Sequence, residues 1–139
     1  EIDHDMTLPT QMNRPEREWD GQKFVHNLAA GAIWTEFRMP GYKCRDTTIC
    51  GNTKGVAGVQ VVRKGDGKPA ATTHDSDILF GFVMTGEMTL RGEGKEPYRL
   101  SRGDAFVTPP GMITEWADPS DDFELLEVSL PGNFKTSRA

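Results

Sequence analysis

Turn signals recur too often along this chain for any long element to form. From Ala32 onward, short runs rich in Val, Ile, Phe and Thr are broken by KGDGKP at 64–69, the junction at Gly86, GEGKEP at 92–97, SRGD at 101–104 and DPSDD at 118–122. The runs between them predict strands at 32–38, 56–63, 78–84, 87–91, 97–100, 104–108, 112–117 and 123–129. No stretch keeps a helical period for three turns, and 15 Gly with 9 Pro are too many for a helical bundle. Many short strands at regular spacing predict an antiparallel sandwich or barrel. There is no internal repeat, so 139 residues make one barrel and not two.

Residues 1–30 differ from the rest. They are polar and aperiodic, and predict an N-terminal arm along the barrel domain at 31–139, with Trp19, Phe24 and Val25 as anchors. His4 between Asp3 and Asp5 looks ligand-like, but a chain end is usually solvated. The longest apolar run, 78–84, is strand-sized, whereas a membrane helix needs roughly 20 residues. A net charge of -5 argues against nucleic acid or an acidic membrane as partner. Cys44 and Cys50 are six apart, which is neither a CxxC pair nor enough thiolates for a zinc site. With no secretory leader at its start, the chain reads as a cytoplasmic protein with two reduced cysteines.

Two stretches are more specific than strand patterning. The first runs from His74 to Glu87 (HDSDILFGFVMTGE), and the second from Gly103 to Thr114 (GDAFVTPPGMIT) with Gly, five residues, Pro, one residue, Gly. In this order and separation they resemble the two signature motifs of the cupin family, over roughly residues 55 to 131. The resemblance implies an all-β jelly-roll barrel, in agreement with the strand count, and a pocket in the barrel mouth that typically holds a divalent metal on three His and one Glu. Carried over residue by residue, that ligand set falls on Thr72, His74, Leu79 and Thr114, so one donor of four remains.

A first-row metal wants about three or four converging imidazole or carboxylate donors. Threonine is a poor ligand and leucine is none. Asp75 and Glu115 should point away from the face of His74 and Thr114, because side chains alternate along a strand. Asp77 lies in a loop and is the one carboxylate that could join His74 on a metal. The chain is therefore expected to carry no cofactor, the alternative being a divalent transition metal on His74 and Asp77.

The expected site is an apolar-walled pocket of Thr72, His74, Leu79, Thr114 and Trp116 that binds a small organic molecule. His74 is expected to contact that ligand, and as the sole candidate acid or base it carries any catalysis. Phe80, Phe82 and Trp116 are otherwise core aromatics, and Arg45 with Asp46 reads as a surface ion pair. Two further functions compete: a metal-dependent dioxygenase, isomerase or lyase with an atypical ligand set, and an accessory dimerisation domain of a larger protein. Open sheet edges and the arm predict a homodimer, as does the resemblance.

Overall fold

The computed structural model describes residues 17–139; His4 and its flanking aspartates lie outside the described residues. Thirteen strands and one short helix follow in order: β1 Glu18–Trp19, β2 Gln22–Lys23, β3 Thr35–Glu36, β4 Tyr42–Asp46, α1 Ile49–Asn52, β5 Gly58–Lys64, β6 Thr72–His74, β7 Ile78–Thr85, β8 Glu87–Gly92, β9 Tyr98–Ser101, β10 Ala105–Val107, β11 Thr114–Ala117, β12 Glu124–Leu130 and β13 Thr136–Arg138. They form a six-stranded sheet in the order β10-β7-β12-β5-β4-β3 and a five-stranded sheet in the order β13-β6-β11-β8-β9. Every pairing is antiparallel. The all-β jelly-roll expectation holds. No helix among the described residues is long and apolar enough to cross a membrane.

The core lies between the two sheets. Val62, Val83, Leu125, Tyr42 and Cys44 enter it from the larger sheet, Met88 and Trp116 from the smaller, and Phe37, Met39 and Phe123 from connecting segments. Strand parity selects them: β12 buries Leu125, Glu127 and Ser129 while Leu126 and Val128 face outward. Two glycines permit close approach. Gly86 turns β7 into β8 at φ 75°, where a Cβ would stand 2.6 Å from the Phe123 backbone, and a Cβ on Gly81 would stand 2.6 Å from the Phe106 ring.

Several elements differ from the sequence expectation. The strand predicted at 32–38 shrinks to Thr35–Glu36, and β4 takes the place beside β5. Its inward Tyr42 and Cys44 alternate with Lys43 and Arg45, which made the run read as a loop. Strands β6 and β13 are short and polar, and exist by pairing His74 with Thr136 and Thr72 with Arg138. The arm carries a hairpin at Asp20-Gly21, both at positive φ, as a two-residue type I′ turn requires. Trp19 and Phe24 do not anchor it, being 52% and 78% exposed. Instead Trp34 stacks on Arg63, and Arg45 bonds Asn27 rather than Asp46.

Tyr42 ties the sheets together, its hydroxyl donating to the Trp116 carbonyl at 2.7 Å. Burial, helped by the Glu115 and Asp118 carboxylates, raises its phenol well above the ordinary value of 10.0. The folded state thus favours the protonated phenol, and this contribution is full below about pH 10 and lost as pH rises further. Thermal unfolding of the wild type should therefore fall more steeply above about pH 10 than that of Tyr42→Phe. The variant should start about 1 kcal/mol less stable for the lost hydrogen bond. Equal alkaline slopes would show that Tyr42 is not the group responsible.

Candidate functional site

The sequence-predicted residues do come close together. Thr114 of β11 pairs directly with Thr72 of β6, and His74 lies two residues along. Thr108, just past β10, joins this group to β7: its backbone N–H donates to the Leu79 carbonyl at 3.2 Å, and its carbonyl stands 2.8 Å from His74 Nε2. Thr72, His74, Leu79, Thr114 and Trp116 are all buried.

The imidazole, however, is hydrogen-bonded on both sides. His74 Nδ1 accepts a hydrogen bond from the Ser76 N–H at 3.1 Å, so the proton resides on Nε2, which donates to the Thr108 carbonyl. Neither nitrogen is left for a metal or a ligand. The residues at the family's ligand positions therefore do not fit a metal: one imidazole with both nitrogens engaged, two hydroxyls and a hydrocarbon. Asp77 is exposed and does not join them, and the described residues hold no cluster of three or more His, Cys, Asp or Glu suited to a metal. Trp116 packs among Phe37, Tyr42 and Phe106 at centroid distances of 5.8, 5.5 and 5.9 Å, deep in the core.

An open space lies next door, on the inner face of β12. A cavity of about 300 Å³ is lined by Arg38, Cys44, Asp46, Gln60, Glu127, Ser129, Asn133 and Phe134, among others. None of the five expected pocket residues borders it. Phe134 stands between His74 and this cavity, edge-on to the imidazole at 6.1 Å and beneath the Arg38 guanidinium at 5.1 Å, while His74 borders a separate space of about 470 Å³ with Thr73, Asp75, Pro110, Gly111, Lys135 and Ser137. Phe134 comes from the segment between β12 and β13.

Glu127 and Arg38 form the floor. Glu127 sits on the inward face of the central strand β12 with its side chain 5% exposed, and Arg38, from the bend after β3, is 17% exposed. Arg38 Nε and Nη2 donate to the two carboxylate oxygens of Glu127, and Nη1 donates to Thr136 Oγ1 at 2.9 Å. Phe37 and Phe134 each stack on the guanidinium, at 4.9 and 5.1 Å. Burial is the main cause that raises the Cys44 thiol above its ordinary value, so it faces the cavity uncharged. Cys50 and Asn133 meet near the rim, Sγ to Oδ1 at 3.5 Å.

Glu127 was readable in advance. It shares parity with Leu125 and Ser129 in ELLEVS, so a strand core-facing on that parity must carry a buried carboxylate. Arg38 follows no such rule, because it projects from an irregular bend.

A buried pair of this kind is costly to break and cheap to replace. Glu127→Ala should destabilise the protein by about 3–5 kcal/mol, since it leaves Arg38 unpaired. The double variant Arg38→Met/Glu127→Leu should recover most of that loss in urea unfolding. A cost below about 1 kcal/mol for the single variant would place the pair in solvent and remove it as the cavity floor.

Comparisons with known proteins agree with this architecture. The cupin-domain family model matches residues 58–128. None of the curated proteins compared matches the chain. Among solved structures, the polyketide cyclase RemF from Streptomyces resistomycificus superposes with a TM-score of 0.68 at 17% identity, covering 85% of each chain. A Streptomyces PAC13 variant solved with uridine gives 0.65 at 12% identity, over 84% of this chain and 92% of that one. KdgF from Halomonas sp. gives 0.59 at 21% identity, over 77% and 94%. Identities this low speak to fold alone. With the family model spanning half of its length, the chain belongs to the cupin family.

Proposed function

We propose that this cupin binds a small organic molecule in the cavity above Arg38 and Glu127, and that the metal position of its family is not used here. The observation that carries the reading is the cavity itself, open at about 300 Å³ and floored by a nearly enclosed ion pair. That volume lies near the lower end of small-molecule sites. A buried pair adds little net stability compared with a packed hydrocarbon core. A polar floor under an open cavity is what a polar ligand needs to orient itself. The neighbours lend support: PAC13 was solved with uridine and RemF is a polyketide cyclase, so this barrel accommodates organic molecules elsewhere.

Metal analysis and ligand screening on the same preparation test this. Dialysed protein should hold first-row metals well below stoichiometry, and near-stoichiometric metal would overturn the reading. A ligand at about 100 times its Kd should stabilise the protein by about 2.7 kcal/mol. Gln60→Trp, which fills the cavity from the position paired with Glu127 across β5 and β12, should abolish that gain; an undiminished gain would put the ligand elsewhere.

The same sheet carries an apolar outer face. Strand register sets Val107 beside Phe80, Phe80 beside Val128, Phe82 beside Leu126 and Ile78 beside Leu130. Ile78, Phe82, Val107 and Leu130 remain exposed, as do Trp19, Phe24 and Leu28 of the arm and Ile33 just after it. We infer that a second copy covers this face, the arm of each protomer lying on the other, because the chain supplies both apolar surfaces. Light scattering should give a dimer mass for the wild type and a folded monomer for Phe82→Lys/Val107→Glu. A dimeric double variant would exclude this face.

A further inference from the structure

The arginine in the cavity invites an obvious reading, that it grips a carboxylate or phosphate of the ligand. Its contacts argue against that. The bidentate edge of Arg38 is already spent on Glu127, the remaining terminal nitrogen donates to Thr136, and aromatic rings stack on it from Phe37 and Phe134. An anion gains most from a guanidinium whose two parallel N–H groups are free. Here those groups hold a carboxylate of the protein itself.

The rest of the lining contains no compensating cation. Asp46 shares the inward parity of Tyr42 and Cys44 on β4 and adds a carboxylate at the rim, where its Oδ1 accepts the Thr48 N–H. Glu36 borders the cavity as well, and stands opposite Lys43 across β3 and β4. The remaining polar groups, from Gln60, Ser129 and Asn133, are neutral donors and acceptors. An anionic ligand would meet Glu127 and Asp46 in a partly desolvated space, within a chain whose net charge is -5. A cationic ligand would find Glu127 already balanced and only the solvent-exposed Asp46 and Glu36 to pair with, the latter set opposite Lys43.

We propose that the cavity selects an uncharged polar molecule, whose hydroxyl or amide groups face Gln60, Ser129 and Asn133, and that the Arg38–Glu127 pair excludes anions. The proposal rests on the binding reading above and specifies the chemical class of its ligand. Glu127 is then a specificity-determining residue, because it occupies the guanidinium that an anion would need.

The test is saturation-transfer NMR on the full chain with a fragment set in equal thirds of neutral, cationic and anionic polar molecules. Uridine and uridine 5′-monophosphate serve as one matched pair. Cavity binders are those lost in Gln60→Trp. They are expected to be neutral, with each anionic counterpart at least about tenfold weaker. Glu127→Gln should raise the affinity of the anions by about tenfold or more, since it leaves the guanidinium charge uncompensated. Where that variant melts too low to use, Asp46→Asn at the exposed rim should shift anion affinity the same way by a smaller factor. Anions that bind the wild type as tightly as their neutral partners would overturn the proposal and leave the pocket standing. A set with no cavity binder would remove the pocket reading and this proposal with it.

Discussion

Strand β12 imposes the constraint on which the rest of the molecule depends. It lies between β7 and β5 at the middle of the larger sheet, and its pleat sends alternate side chains to opposite faces. Leu125 reaches the apolar core, Glu127 the cavity floor and Ser129 the cavity wall, all from one face. Leu126 and Val128 occupy the other face, beside Phe82 and Phe80. A slip of one residue would exchange the two sets. It would put Glu127 on the outer apolar face and leave Arg38 buried without a partner. The bulge at Glu124/Leu125 against β7 absorbs the one irregularity near the strand's start, before the three inward residues begin.

The barrel therefore changes character along its length. At one end Phe37, Tyr42, Trp116, Phe123 and Leu125 fill the space between the sheets with hydrocarbon and aromatic rings. Toward the other, the inward positions become Gly58, Gln60, Glu127 and Ser129, and the filling stops. Gly58 contributes no side chain there, and a Cβ on it would meet Ser129 Oγ at 2.8 Å. The aromatics Phe37 and Phe134 mark the boundary, each stacked on Arg38. An ion pair at this depth needs its hydrogen bonds satisfied, and the bidentate pairing with the Thr136 contact largely does so.

How much of this could be read in the sequence depended on which rule governed each residue. Runs such as ILFGFVMT and ELLEVSL announced themselves, because burial of one face leaves a two-residue period, and the second motif fixed its turn through Pro109 and Gly111. Strand β4 did not, since Lys43 and Arg45 on its outer side hid Tyr42 and Cys44. The hairpin at Asp20-Gly21 carried a local turn signal that the surrounding polarity obscured. The site was legible only in part. Family positions located the cluster of Thr72, His74, Leu79 and Thr114, but position says nothing about what fills the space in front of them. Phe134 and Arg38 come from irregular segments, where no periodicity assigns a direction. Glu127 was accessible to the same parity rule that identified Leu125.

The cluster around His74 retains a mechanical role even though its nitrogens are engaged. In this family the position would hold a metal, and an ion coordinated from several strands is also a cross-link. Here side-chain hydrogen bonds make comparable ties. His74 links β6 to the segment after β10 through Thr108, and Tyr42 links β4 to β11 through Trp116. Arg38 links the bend after β3 to β12 and β13 through Glu127 and Thr136. Each tie joins segments far apart in sequence, and all three connect one sheet to the other. Hydrogen bonds of this kind impose donor and acceptor geometry, which fixes ring tautomer and side-chain rotamer as well as distance. Arg38 and Glu127 of these ties also line the cavity, as does Phe134 stacked on Arg38, so the same contacts that join distant segments shape its walls.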